Sequence, residues 1–151
     1  MPTARSRRGD VVTAPEFLMA PGAPTPVAPF SHAVRVGPWL FVTGQMPTWP
    51  GDDARALPDG VRAQTRRVMD NLDIVLAAGG MDRSHIVQAR IYLTAFDRDY
   101  AAMNEVWRSF FPPGRLPART CVGVTGLARQ ALVEIDLISH RPAAEDPSHG
   151  S

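Results

Sequence analysis

The sequence predicts an α+β domain: one mixed β-sheet with two helices packed on one of its faces. Three observations carry that prediction. Two stretches repeat apolar residues at helical spacing, five shorter ones are β-branched or alternate with period two, and they follow in the order β-β-α-β-α-β-β. Helices interleaved with strands after a starting hairpin fold back onto a shared sheet. A sheet covered on one side leaves its other face in need of cover, and in a chain of 151 residues self-association is the simplest supply.

Residues 1–28 are rich in Pro, Ala and Gly, end in Pro21-Gly22-Ala23-Pro24-Thr25-Pro26, and have no periodic apolar face. They read as an extended or mobile N-terminal extension, with Val11 and Val12 as a candidate edge strand. Residues 32–36 and 39–43 are short apolar runs split by Gly37-Pro38, which makes them a hairpin. Residues 46–60 hold three prolines and two glycines and read as a loop. Over 61–78, Val61, Val68, Leu72, Val75 and Leu76 share one helical face, opposite Arg62, Arg66, Asp70 and Asp73, and Gly79-Gly80 stops the helix. In residues 86–94, Val87, Ala89, Ile91 and Leu93 alternate with Gln88, Arg90 and Tyr92, the pattern of a strand with one buried face. Residues 98–111 set Tyr100, Met103, Trp107, Phe110 and Phe111 at helical spacing, with Asp97 as N-cap and Pro112-Pro113-Gly114 as terminator. Residues 118–124 and 131–138 are the last two strands. The ordered domain therefore spans 29–140, and 141–151 reads as a flexible C-terminal tail.

Composition narrows the function classes. The hydrophobic fraction of 44% and charged fraction of 21% are those of a globular protein. A net charge of +1 gives no electrostatic case for nucleic acid or an anionic membrane as partner, and the cluster Arg5-Ser6-Arg7-Arg8 is too short to change that. With Cys121 as the single cysteine there is no internal disulfide framework, which suits a cytoplasmic location. The N-terminal arginines precede no apolar segment of the kind a secretory signal needs. Neither His32, His85, His140 nor His149 has a second ligand at metal spacing, so no zinc site is expected, and no GxSxG or glycine-rich phosphate loop occurs.

The chemistry concentrates in two segments. In Pro117-Ala118-Arg119-Thr120-Cys121-Val122, alternation puts Arg119 and Cys121 on one face and Thr120 and Val122 on the other. In Leu132-Val133-Glu134-Ile135-Asp136-Leu137, Glu134 and Asp136 share a face opposite Val133, Ile135 and Leu137. If the apolar side of each strand meets the helices, Arg119, Cys121, Glu134 and Asp136 all point the other way. Two readings follow. The charges form an ordinary cross-strand ion pair, contributing about 0–1 kcal/mol when exposed. Alternatively Arg119 grips a ligand carboxylate with two parallel hydrogen bonds while Glu134 acts as a base beside it.

The chain also resembles the RidA/YjgF family of imine and enamine deaminases. The matching words are Pro29-Phe30-Ser31-His32-Ala33, Phe41-Val42-Thr43-Gly44-Gln45-Met46-Pro47, Ala63-Gln64-Thr65-Arg66 and Met69-Asp70-Asn71-Leu72. They continue in Met103-Asn104-Glu105-Val106-Trp107, Pro117-Ala118-Arg119-Thr120-Cys121-Val122 and Val133-Glu134-Ile135. The resemblance implies a chorismate-mutase-like α+β fold, a homotrimer with three sites in the clefts between subunits, and cofactor-independent hydrolysis of 2-imino acids, or their enamine tautomers, to 2-keto acids and ammonia. By position it implies that Arg119 binds the substrate carboxylate and that the Cys121 backbone contacts substrate, with the thiol lining the pocket. It further implies that Glu134 positions or deprotonates the attacking water, that Thr43-Gly44 supply a hydroxyl and a backbone donor, and that Asn104 stands at the pocket wall. Many members carry Tyr where this chain has Phe30 and Ser where it has Thr43. Both changes make the implied site drier and narrower, compatible with a specialised substrate such as an unsaturated, aminomuconate-like amino-dicarboxylate. A pathway-specific deaminase or biosynthetic enzyme, a non-catalytic trimer that binds small carboxylates, and RNA cleavage are the rival readings. Ammonia release separates the first from the second, and the net charge of +1 speaks against the third.

Overall fold

A computed structural model of the chain describes residues 14–142. The elements are β1 (Glu16–Leu18), β2 (Ala33–Val36), β3 (Trp39–Gln45), α1 (Gly60–Ala78), β4 (Ile86–Leu93), α2 (Phe96–Ser109), β5 (Ala118–Gly123) and β6 (Val133–His140). They build one six-stranded mixed sheet in the order β1-β2-β3-β6-β4-β5, in which only the β4–β5 pair is parallel. The last strand thus inserts at the centre, between β3 and β4, and β5 becomes an edge. Both helices lie against one face, as the alternation predicts, and the core is the layer between them and that face.

α1 forms because Val68, Leu72, Val75 and Leu76 recur at the helical period and are all buried. It stops where expected. Gly80 takes a positive φ of 72°, and the amides of Gly79, Gly80 and Met81 return to the carbonyls of the last turn. Gly79 has a packing reason as well: a Cβ there would stand 2.5 Å from Leu40 Cδ2, so the helix end lies flat on β3 only without a side chain. The opposite face of the sheet is open, with Trp39, Phe41 and Val122 each about two-fifths exposed (41%, 44% and 43%).

Two expectations change. α2 begins at Phe96 with Ala95 at its N-cap, so Asp97 is not the cap; it lies in the first turn with Asp99, where a carboxylate still favours the positive end of the helix dipole. The stretch before residue 28 holds a strand, because β1 pairs antiparallel with β2. His32 ties down the segment that follows. Its buried ring accepts the Ala20 amide at Nδ1 and donates from Nε2 to the Pro24 carbonyl, both at 2.9 Å, a pairing that needs the neutral Nε2–H tautomer. Val11, Val12 and His149 lie outside the described residues, as does the tail beyond residue 142.

The loop from 46 to 59 is anchored from α1. The Asn71 amide, fully buried, donates to the carbonyls of Met46 (2.9 Å) and Thr48 (2.8 Å), and its oxygen accepts from Arg67. Gln64 donates to Pro58 and accepts the Leu132 amide, which couples the same helix to the start of β6. Asn71→Ala leaves two inward carbonyls without donors. At fixed protein concentration it should lower the free energy of unfolding by about 2 kcal/mol or more, read as a reduced urea midpoint at unchanged m-value.

Candidate active site

On β6 the strand alternation is complete: Val133, Ile135 and Leu137 are buried in the core, while Glu134 and Asp136 stand on the open face, each partly covered. Cross-strand register sets Tyr92 beside Glu134 and Arg90 beside Asp136. The two carboxylates then differ sharply. Asp136 accepts from Arg90 Nε at 2.9 Å and from the Tyr92 hydroxyl at 3.0 Å. Glu134 has neither a hydrogen bond nor an ion pair among the described residues. Burial pushes its carboxyl above the usual glutamate value of 4.5, and the negative charge of Asp136 pushes the same way. A half-buried carboxylate with free lone pairs and a raised pKa is equipped to take a proton from water.

Its other neighbour is a bulge. β3 pairs Val42 with Leu137 and Gln45 with Ile135, so three steps on β3 match two on β6 and Thr43-Gly44 carry the extra residue. Gly44 lies directly over Glu134: a Cβ there would stand 3.0 Å from Glu134 Cδ and 3.2 Å from Cγ. Glycine at this position is what lets the carboxylate lie against the backbone. Phe30 borders the same small pocket as Gly44, walled by the Pro24–Val27 segment that His32 holds. Gly44 is thus the link: it touches Glu134 on one side and shares a pocket with Phe30 on the other, with Thr43 beside it in the bulge.

Arg119 does not join them. Its register partner on β4 is Ala89, and that of Cys121 is Ile91; both partners are fully buried on the helix side. The Arg119 guanidinium accordingly meets α2, donating to Asn104 Oδ1 at 2.7 Å and lying within 3.5 Å of the Tyr100 hydroxyl. With Asn104, Trp107, Arg108, Leu116 and Pro117 it lines a cavity of about 390 Å³. Cys121 packs against the core; burial pushes its thiol above the usual 9.0, outweighing the opposing charge of Arg119, so it is a protonated and poor nucleophile. The expectation that Arg119 and Cys121 share a face with Glu134 and Asp136 is thus corrected. β5 is an edge strand whose inner side meets the core at Cys121 but polar groups of α2 at Arg119, and its apolar Val122 faces outward. Arg119 and Glu134 stand on opposite faces of one sheet, with β4 between them.

Residues 21–141 match the family described as Endoribonuclease L-PSP. The chain is 32% identical over 126 residues to a RutC family protein of Pyrococcus horikoshii, a match covering 83% of this chain and 98% of that one. It belongs to the RidA/YjgF family. Protein DfrA of Myxococcus xanthus is 44% identical over 119 residues (78% of this chain, 88% of the relative), and the putative reactive intermediate deaminase TdcF of Escherichia coli is 31% identical over 130 residues (85% and 96%). Among solved structures, RidA from an Antarctic Psychrobacter superposes with a TM-score of 0.76 at 29% identity, covering 83% of this chain and 99% of that one. E. coli TdcF with bound serine superposes with a TM-score of 0.75 at 28% identity, covering 83% and 98%. The RidA/YjgF fold and its mixed sheet with two helices are those expected from the sequence.

Sequence reasoning missed Tyr92 and Arg90, which occupy Asp136 and leave Glu134 as the unengaged carboxylate. The alternating Arg90-Ile91-Tyr92 was their signal, because a strand facing Glu134 and Asp136 needs polar partners on that side. Among the described residues no group of three or more His, Cys, Asp or Glu side chains could hold a metal ion, and no helix is long and apolar enough to cross a membrane. The electrostatics give a direct test. The Glu134 carboxyl carbon should titrate above the range of an exposed glutamate by NMR, and Asp136→Asn should lower that midpoint by removing the like charge.

Proposed function

We propose that the protein is a cofactor-independent deaminase that hydrolyses 2-imino acids, and their enamine tautomers, to 2-keto acids and ammonia. Members of its family include proteins named as reactive intermediate deaminases, and the reading is supported most by one observation: an unengaged, half-buried Glu134 with a raised pKa, set against the Thr43-Gly44 bulge. Arg119, steadied by Asn104, supplies the grip for the substrate carboxylate. Water attacks the imine carbon as Glu134 accepts its proton, forming a carbinolamine. The imine enters protonated, so this carbinolamine is neutral; Glu134 then returns the proton to its nitrogen, the C–N bond breaks as the hydroxyl gives its proton back to Glu134, and the released ammonia takes up that proton and leaves as ammonium with the keto acid. Holding carboxylate and water in register contributes several kcal/mol, and general base catalysis about 10²–10⁴-fold.

The opposed faces of Arg119 and Glu134 support a site between copies, in this reading formed by the β5 edge of one protomer and the open face of the next. The apolar Phe41, Trp39 and Val122 on that open face support burial against a second copy, in a closed homotrimer. The family description also names endoribonucleases. The carboxylate-rich open face and the net charge of +1 disfavour a polyanion, and incubation of the protein with RNA should yield no cleavage.

The main test follows keto acid and ammonia released from imino acids made in situ by an amino-acid oxidase. Arg119→Ala and Glu134→Gln should each lower kcat/KM by on the order of 10²-fold or more. Equal rates in all three proteins would end the proposal. Co-assembling the two variants tests the shared site: a junction then carries both intact groups in roughly one case in four, so about a quarter of wild-type activity returns. No recovery would place both groups in the same protomer. Cys121→Ala should retain most activity, since its thiol is protonated and packed.

A further inference from the structure

The cavity beside Arg119 holds a second guanidinium. Arg108 lines it one helical turn beyond Asn104, the residue that holds Arg119, so the two α2 positions stand about 5–6 Å apart on the same helix face. No Asp or Glu lines this cavity. The nearest acidic residue in sequence, Glu105, is taken by Arg62 at 2.7 Å. Arg108 itself makes no side-chain hydrogen bond or ion pair among the described residues; Arg66 and Arg115 share that property, but neither lines this cavity. The remaining walls, Trp107, Leu116 and Pro117, are apolar.

We infer that Arg108 is a specificity residue that binds a second anionic group of the substrate, so that the preferred substrates are imino acids with a carboxylate side chain. The inference rests on the reading that Arg119 takes the carboxylate next to the imine carbon. One guanidinium then neutralises each end of a dianion, and the indole, leucine and proline walls cover the short carbon chain between them. A neutral side chain of the same length leaves the Arg108 charge uncompensated and forgoes a charge-assisted hydrogen bond. A side chain bearing an ammonium meets the like charge of Arg108 and is rejected.

The experiment compares imino acids generated by amino-acid oxidases from aspartate and glutamate with those from alanine and norvaline. Wild type should favour the acidic members in kcat/KM. Arg108→Ala should reduce that preference about fivefold or more, mostly through KM, and Arg108→Glu should reverse it. The acidic preference should also shrink at high ionic strength, which a purely structural role for Arg108 would not produce. A preference unchanged in both variants, with turnover of the neutral substrates intact, overturns the inference and leaves the deaminase reading standing. If wild type turns over no imino acid, the deaminase reading falls, and calorimetry decides the inference alone. Succinate binding tighter than butyrate binding, with the difference lost in Arg108→Ala, upholds the two-guanidinium site, and equal affinities overturn it.

Discussion

The structure depends on the two-residue alternation of β6 at the centre of the sheet. Because β6 lies between β3 and β4, its Val133, Ile135 and Leu137 are buried in the core beneath α1, and every other side chain is committed to the open face. A one-residue slip would send Glu134 and Asp136 under the helices, where two unpaired carboxylates would cost several kcal/mol each. That penalty fixes the register of β6 against β3 and β4 together. It therefore fixes Glu134 against the bulge on one side and against Tyr92 on the other. Glu134 is placed by the apolar residues that flank it.

Within that frame the two carboxylates of β6 are made unlike by their neighbours alone. Asp136 has a cation and a phenol to itself, which satisfies it and holds its charge in place. Glu134 has Gly44 backbone on one side and Asp136 as a like charge, with burial as the larger influence. Like-charged residues two positions apart on one strand are usually a liability. Here the satisfied member raises the proton affinity of the unsatisfied one, and Arg90 keeps the arrangement from repelling itself apart. The bulge has the complementary part. By widening β3 at Thr43-Gly44 it removes the side chain that would occupy the position the Glu134 carboxylate takes.

Much of this was legible in the sequence, and the parts that were not share one cause. The two helices, the Gly79-Gly80 stop, the hairpin at Gly37-Pro38 and the strands at 86–94, 118–124 and 131–138 follow from local periodicity, which survives in the fold except at the start of β4, where a register shift buries Ile86 and turns Val87, expected inside, outward. The pairing of strands is not local. Nothing in residues 118–124 says that this strand ends at a sheet edge, where Arg119 on its inner side meets Tyr100 and Asn104 of α2. The rule that apolar means inward therefore failed at Val122 and took Arg119 with it. Likewise the proline-rich stretch before residue 28 has no period to read, yet β1 pairs there and a buried His32 organises the turn behind it. Among the words shared with the RidA/YjgF family, Gln64 and Asn71 are ties between α1 and two loops. Their chemistry is spent on backbone carbonyls and amides, which the sequence alone does not distinguish from contact with a ligand.

The corrected geometry changes what the open face is for. Had Arg119 and Glu134 shared a face, one protomer would carry a whole site, and association would only cover apolar surface. With the two on opposite faces, the proposed deaminase needs a second copy: covering Phe41 and Val122 and completing the proposed chemistry would be the same event. On that proposal assembly would stabilise the fold by mass action and bring Arg119 of one copy to Glu134 of the next in a single step. A protomer alone would hold a carboxylate and a cation that cannot meet across the sheet. The proposal thereby gives a reason for an unengaged, half-buried carboxylate on an otherwise exposed surface. Such a site would stay inert until the assembly is correct, because neither half would react by itself.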